Sequence, residues 1–364
     1  MVRSADYVIV GSGLTGATIA RMLRDAGRDV LVIDKRDHMG GNVHDHWHPS
    51  GIRIHTYGPH YFRTSSEKIW RFVNRFANFY VYEAAVSSLV DGKHENWPVS
   101  ASYIERTVGV NWEPKFKGAP ANFEEASLAM MPEPVYYKFV KGYTEKQWGV
   151  PATELEAGLA RRFDVRLDNE PRLTRHRHQG IPEHGYTEFM RTMLDGIPLE
   201  LNCYYDSRKS EIRADTLLIF TGPIDELFDY RFGQLKYRSQ RREHEYLPCV
   251  DGFSQPCGQV NNPAVTNGDY IRTLEWKHMM PAESAKRIRG TVLTREFPVT
   301  PTKSQHVEYP FPDRRNRTLY EEYRKLADST SGLIVCGRLG EYKYFDMDQA
   351  IGRAMTIAQR VLNG

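Results

Sequence analysis

This 364-residue sequence is poor in the features that announce metal, disulfide or membrane chemistry. Its four cysteines, Cys203, Cys249, Cys257 and Cys336, are scattered and form no CxxC pair. Zinc sites and disulfide frameworks are therefore not expected, and a reducing cytoplasm is the simplest setting. No stretch approaches the roughly 18 apolar residues of a spanning helix, so no membrane insertion is expected. The opening Met1 to Tyr7 lacks the apolar core of a signal peptide and enters a strand pattern at once. Charge is nearly balanced at +3, without a dense Lys/Arg run, so no nucleic-acid surface is suggested. There is no GxSxG, no HExxH and no evident carboxylate pair of glycosidase type. No internal repeat or low-complexity segment is seen.

The first 41 residues supply the cofactor site. Asp6-Tyr-Val-Ile-Val10 reads as a buried strand and runs into Gly11-Ser-Gly13-Leu14-Thr15-Gly16. A helical stretch from Ala17 to Ala26 follows, then the apolar strand Val30-Leu-Val-Ile33, ending on Asp34. This is the strand–turn–helix–strand fingerprint of a dinucleotide site. Gly11 permits the turn, Gly13 lets backbone approach a pyrophosphate, and Gly16 lets the helix pack closely. The helix N-terminus offers free N–H groups to phosphate. Asp34 stands where a ribose hydroxyl needs an acceptor. Lys35 and Arg36 lead to Gly40-Gly41-Asn42, a second close approach of backbone to cofactor. This arrangement favours FAD over NAD.

Further along, Ser66 to Phe79 reads as a helix with Trp70, Phe72, Val73 and Phe76 on a core stripe. Residues 120–160 look helical and aromatic, and 230–310 show strand-type alternation. The tail gives one more buried strand, Gly332 to Cys336, then Gly337-Arg338 and a helix from about Met347 to Leu362. A sheet that closes this late carries its other lobes as insertions. The expected fold is α/β: a discontinuous Rossmann-like FAD-binding domain with an inserted helical lobe and an antiparallel β-sheet lobe. The expected division is 1–78, 181–230 and 330–364 for FAD, 79–160 for the helical lobe, and 161–180 with 231–329 for the sheet lobe and a mobile loop.

The string Gly142-Tyr-Thr-Glu-Lys-Gln-Trp-Gly149 resembles the UDP-galactopyranose mutases. Tyr57-Gly-Pro-His60-Tyr-Phe, Gln179-Gly-Ile-Pro182, Thr221-Gly-Pro-Ile-Asp225, Phe228 to Gly233, and Gly337 to Met347 agree in the same order. The likeness runs end to end. It implies a flavoenzyme that interconverts pyranose and furanose forms of a nucleotide-linked sugar, most simply UDP-galactose, without net redox change. N5 of the reduced flavin would attack the anomeric carbon and displace the nucleoside diphosphate. NADPH or NADH would reduce the FAD, a homodimer is expected, and cell-surface polysaccharide synthesis is the implied setting.

The resemblance also assigns residues. Arg166 matches a mobile-loop arginine and Arg272 a fixed one, both toward the diphosphate. Planar, always-charged guanidinium groups suit that task. Tyr309 and Tyr344 match phosphate-binding tyrosines. Phe139 and Tyr143, one helical turn apart, match aromatics that hold the base, and Trp148 lies near the loop; core packing is the competing role for all three. His60 matches a histidine beside the flavin. Asp346 precedes the last helix, where it can also act as N-cap. Gly337, Arg338, Asp346 and Met347 would complete the flavin site, the helix dipole facing the reduced ring. The family usually has His at Arg63 and at Asp348, and other residues at Val99 and Val140. These departures leave open another sugar or a dTDP or GDP carrier. An amine-oxidase-type oxidoreductase shares the same FAD fingerprint and is the alternative from another class. The alternating His44, His46 and His48 fit a strand better than a metal site.

Overall fold

The computed structural model describes residues 3–163, 165–248, 252–302 and 307–364; Cys249 lies outside them. Five parallel strands form the first sheet, in the order Leu199–Glu200, Val30–Ile33, Arg3–Val10, Ile212–Phe220, Leu333–Val335. Val30 to Ile33 are all buried, as their continuous apolar run requires of a strand covered on both faces. Helix Leu14–Asp25 packs against the C-terminal helix Met347–Asn363, joining Ile19 and Leu23 to Ile351, Ala354 and Ala358 in one core. Each such buried Ile or Leu contributes about 1.5–3 kcal/mol relative to exposure. That packing brings the chain's first and last segments together beside the glycine turn.

The second sheet has seven strands, ordered Tyr309–Pro310, Tyr237–Leu247, Thr291–Val299, Arg272–Glu275, Gln259–Asn261, Val86–Val90, Lys93–Trp97. All its pairings are antiparallel except that of Gln259–Asn261 with Val86–Val90. Its register sets Arg272 opposite both Glu296 and Asn261.

Three boundaries depart from the sequence reading. The segment expected to be a helical lobe, 79–160, gives two of its strands, Val86–Val90 and Lys93–Trp97, to the large sheet. Helix Arg314–Ser329, expected in the sheet lobe, instead buries Tyr323 and Ala327 with Phe220, Ile224 and Val335 on the nucleotide domain. The helix expected from Ser66 to Phe79 covers only Glu67–Val73. Ser66 Oγ caps it by accepting from Ile69 N–H, and Phe79 already belongs to a strand that pairs with His178–Pro182.

The helical lobe itself, including Ala101–Thr107, Phe123–Met130 and Gly142–Trp148, encloses its own core. Val99 and Val140 are wholly buried in it. Their departure from the family pattern is therefore a matter of packing, not of lining a cleft.

Candidate active site

Two clefts meet at the carboxyl end of the five-stranded sheet. The first, of about 1200 Å³, is lined by the glycine turn, Asp34 to Arg36, Gly41, Asn42, His60, Gly337, Arg338 and Met347. Gly41 has φ +55°, and a Cβ there would fall 2.9 Å from Gly13 Cα. The two loops thus touch backbone to backbone, and no side chain fits between them. Asp34 Oδ2 accepts from both N–H and Oγ–H of Ser12, at 2.7 and 2.6 Å, and Oδ1 accepts from Arg36 N–H at 2.9 Å. A carboxylate has about four lone-pair positions. Asp34 therefore braces the glycine turn with two of them, holds the Arg36 backbone with a third, and retains one for a ribose hydroxyl. Arg36 donates to Asn42 Oδ1 at 2.9 Å, and Lys35 pairs with Glu226 at 3.0 Å. A backbone cradle, an acidic ribose reader and a helix N-terminus fit an adenine dinucleotide such as FAD.

The second cleft, of about 1490 Å³, opens from the first. His60, Arg338 and Met347 line both. Its wall is helix Gly142–Trp148, and each residue of that helix has a physical task. A Cβ on Gly142 would lie 2.3 Å from the Pro263 carbonyl, so only glycine allows that approach. Tyr143, Thr144, Gln147 and Trp148 face the cleft. Glu145 Oε1 accepts from Ala152 N–H, and Lys146 Nζ donates to the carbonyls of Ala264, Gly268 and Tyr270 at 3.0 to 3.1 Å. Lys146 thereby ties down the loop that delivers Arg272.

The sheet supplies the floor. Arg272 Nε donates to Glu296 Oε2 at 2.5 Å, and Arg242 Nε donates to Glu296 Oε1 at 2.9 Å. Arg242 also donates twice to Glu308, at 2.9 and 3.0 Å. Burial would raise the Glu296 carboxyl, but the two guanidinium groups outweigh it and hold it below the usual carboxylate range. Tyr309 and Tyr344 stack at 6.3 Å, with Arg338 lying over both rings. Burial pushes the Tyr309 phenol up to about 12, which keeps it a donor. Asp346 pairs with Arg63 at 3.1 Å and accepts from Tyr344 Oη–H at 3.1 Å. Its burial favours the neutral acid, yet these partners and Arg162 lower its pKa below the ordinary value. Asp346 precedes helix Met347–Asn363, and its N–H donates to Gln349 Oε1 at 3.0 Å. It lines the second cleft and not the first, so the structure does not place it in the cleft expected to hold the flavin.

His60 sits at the junction. Its Nδ1 is 2.7 Å from the Gly58 carbonyl, and its backbone N–H donates to His55 Nδ1 at 3.0 Å. A carbonyl partner requires the Nδ1–H tautomer, which leaves Nε2 an acceptor. Burial, then His55 and Arg338, push its pKa down to about 3. His60 is therefore neutral at physiological pH.

Arg166 requires a correction. It is only 5% exposed and does not line the second cleft. Its guanidinium donates to the carbonyls of Glu170, Arg172 and Leu173 at 2.7, 2.5 and 3.1 Å, closing its own loop. Of these two loop arginines it is Arg162 that faces the cleft, at the end of the 3₁₀ segment Ala157–Arg162, with its guanidinium 4.0 Å from the Tyr344 ring centre. Phe139, Tyr143, Trp148, Arg272, Tyr309 and Tyr344 all reach the same cleft. Sequence reasoning missed Arg162, Gln240, Gln259 and Asn261. The last three are polar residues on sheet strands that turn toward the cleft. His44 and His46 share the Thr56 hydroxyl, and among the described residues no group of three or more ligating side chains could hold a metal.

A Rossmann-like nucleotide cleft that opens onto a pocket of arginines, tyrosines and amides defines an enzyme that handles a dinucleotide beside an anionic substrate. The family model "GLF: UDP-galactopyranose mutase" matches residues 138–344, and an NAD(P)-binding Rossmann-like domain matches 9–76. A probable UDP-galactopyranose mutase of Klebsiella pneumoniae is 32% identical, over 100% of this chain and 96% of its own length. A dTDP-fucopyranose mutase of Escherichia coli is 33% identical, over 97% of both. The crystal structure of reduced UDP-galactopyranose mutase superposes with TM-score 0.76 at 15% identity, covering 99% of this chain and 96% of that one. The chain belongs to the UDP-galactopyranose mutase family, whose members are isomerases of nucleotide sugars. Among the described residues no helix is long and apolar enough to cross a membrane.

Proposed function

We propose that the protein interconverts UDP-galactopyranose and UDP-galactofuranose, with reduced FAD in the first cleft and the nucleotide sugar in the second. The observation that carries this reading is the junction of the two clefts at His60, Arg338 and Met347. A cofactor bound along the glycine turn would present its reactive edge there. Bound there, a reduced flavin would supply the nucleophile for the anomeric carbon, and NADPH or NADH is the expected reductant. The remaining work falls to the chain. Arg272, aimed by Glu296, and Arg162 hold the diphosphate as it leaves. Tyr309 and Tyr344 donate to its oxygens without adding charge. Phe139 and Tyr143 hold the base. Helix Met347–Asn363 begins at the cleft, with Met347 and Ala350 in its wall, so its positive end stabilises negative charge on the cofactor. His60 Nε2, held unprotonated, accepts a hydrogen bond at the reacting face.

The test is direct. Purified protein is reduced with dithionite and given UDP-galactopyranose, and the products are separated by chromatography. A furanose product that requires reduction and consumes no stoichiometric reductant supports the reading. Turnover in air with oxygen consumption and no sugar isomer would replace it with an oxidase.

A further inference from the structure

We propose that Lys146 is a positioning residue for Arg272, and that the second cleft holds a nucleoside diphosphate tightly only while the Lys146 ammonium is charged. The proposal rests on the mutase reading above and deepens it. Arg272 opens strand Arg272–Glu275, directly after the loop 262–271. Three carbonyls of that loop, from Ala264, Gly268 and Tyr270, converge on Lys146 Nζ at 3.0, 3.1 and 3.0 Å. An ammonium has three N–H donors, so every one of them is spent on this loop. Three carbonyl oxygens that face one point repel one another unless a cation sits between them. A neutral amine brings two N–H groups and turns its lone pair toward the third oxygen. Loss of the proton therefore removes both the charge and one of the three bonds.

Hydrogen bonds carry that loss to Arg272. The Tyr270 carbonyl also accepts from Asn262 Nδ2 at 3.0 Å, and Asn262 N–H donates to the Ile271 carbonyl at 2.7 Å. Ile271 N–H donates in turn to the Glu296 carbonyl at 2.9 Å. Glu296 aims the Arg272 guanidinium, and Lys146 anchors the backbone that leads into it. The helix that carries Lys146 also presents Tyr143 and Gln147 to the cleft. A nucleotide that touches this helix and Arg272 at once needs the two at a fixed spacing. Burial lowers the Lys146 pKa to about 8, with Asp269 opposing. Glu145 shares its helix, Arg238 donates to its carbonyl at 3.3 Å, and Arg295 and Glu296 stand on the strand packed against that helix. Carboxylates and guanidinium groups do not change charge above pH 7. Lys141, one turn earlier, is held charged by its hydrogen bond to Glu124, which raises its pKa. Tyr270, whose ring centre lies 5.9 Å from Nζ, is the remaining titratable neighbour.

The experiment measures UDP binding to the oxidised holoenzyme by calorimetry between pH 7 and 9.5, for wild type and Lys146→Met. Methionine keeps the length of the stem and cannot carry the charge, and every other titrating group, on protein and on UDP, is common to both proteins. At pH 7 the variant should bind UDP roughly tenfold more weakly, with flavin content close to wild type. Wild-type affinity should fall toward that of the variant above about pH 8, and the variant should lack this fall. The proposal is overturned if the variant binds UDP as wild type does, if the two proteins lose affinity in parallel as pH rises, or if wild type binds no UDP. Should Lys146→Met fail to fold, hydrogen exchange on wild type decides. Protection of residues 263–271 that drops above pH 8 while the neighbouring strands keep theirs supports the proposal, and a uniform response overturns it. A wild type that binds UDP in the expected pattern yet forms no furanose from UDP-galactopyranose overturns the mutase reading alone.

Discussion

Arg272 and Glu296 face each other across neighbouring strands, and the guanidinium Nε donates to a carboxylate oxygen 2.5 Å away. The carboxylate has no exposed surface and is shared with Arg242. One buried anion thus aims the arginine that faces the cleft. Replacing it with a neutral amide leaves two buried guanidinium groups short of charge. Glu296→Gln should cost roughly 3–5 kcal/mol of stability, the range for breaking a buried ion pair. It should also raise KM for the nucleotide sugar more than it lowers kcat, since Arg272 would be misaimed before the chemistry begins. Thermal denaturation and steady-state kinetics check both parts. Unchanged KM in a folded variant would show that Arg272 needs no such support.

Arg162 and Arg166 should separate cleanly. Arg162 lies against Tyr344 in the cleft, whereas Arg166 is turned onto three carbonyls of its own loop. Arg162→Ala should reduce kcat/KM by tenfold or more, the loss of about one charge-assisted hydrogen bond to phosphate. Arg166→Ala should first loosen residues 170–173, seen as faster hydrogen exchange there, with activity falling as a consequence. The reverse pattern would mean that the loop rearranges on binding so that Arg166 enters the cleft.

The cradle makes its own demand. Gly41→Ala places a methyl group 2.9 Å from Gly13 Cα, and the φ of +55° adds strain. The two loops must part, and the groove that would receive the pyrophosphate widens. Flavin affinity should fall by roughly tenfold or more, the equivalent of about 1.4 kcal/mol. The isolated variant should be pale yet folded, as absorbance near the flavin maximum and circular dichroism would report. Full flavin occupancy would show that the dinucleotide does not rely on this contact.

The nucleotide cleft was largely legible in the sequence because its determinants are local. A turn, a helix start and an acid within one strand–helix–strand unit must lie together, whatever the rest of the chain does. The wall of the second cleft was legible for the same reason, since Tyr143, Thr144, Gln147 and Trp148 share one short helix. The floor was not. Arg272 meets Glu296, and Gln240 meets Gln147, only through strand register and sheet order, which no local pattern fixes. Choosing between Arg162 and Arg166 was equally out of reach. They stand four positions apart in an arginine-rich run, and the 3₁₀ segment Ala157–Arg162 decides which one faces inward. Val86–Val90 was missed because Val-Ser-Ser-Leu-Val is short and carries serines. Those serines are buried by the neighbouring strands, not exposed.

The last prediction concerns acid. His55 is 2% exposed, packs on Trp276 and Tyr186, and accepts the backbone N–H of His60 through Nδ1. Burial pushes its pKa down to about 3. In the unfolded chain a histidine titrates near 6.5. Between these values the unfolded state binds a proton that the folded state refuses. Stability therefore falls as pH drops from about 6.5 toward 3, with a slope of up to about 1.4 kcal/mol per pH unit from this residue. His60 and His44, lowered to about 3 and about 4, act in the same direction. Urea denaturation at pH 7.5, 6 and 5 should show a progressive loss. His55→Gln keeps an acceptor for the His60 N–H but does not titrate. It should be less stable than wild type at pH 7.5 through altered packing and should show a shallower decline below pH 6. A parallel decline in both proteins would assign the acid sensitivity to other groups and leave His55 as an aromatic spacer beneath the junction of the clefts.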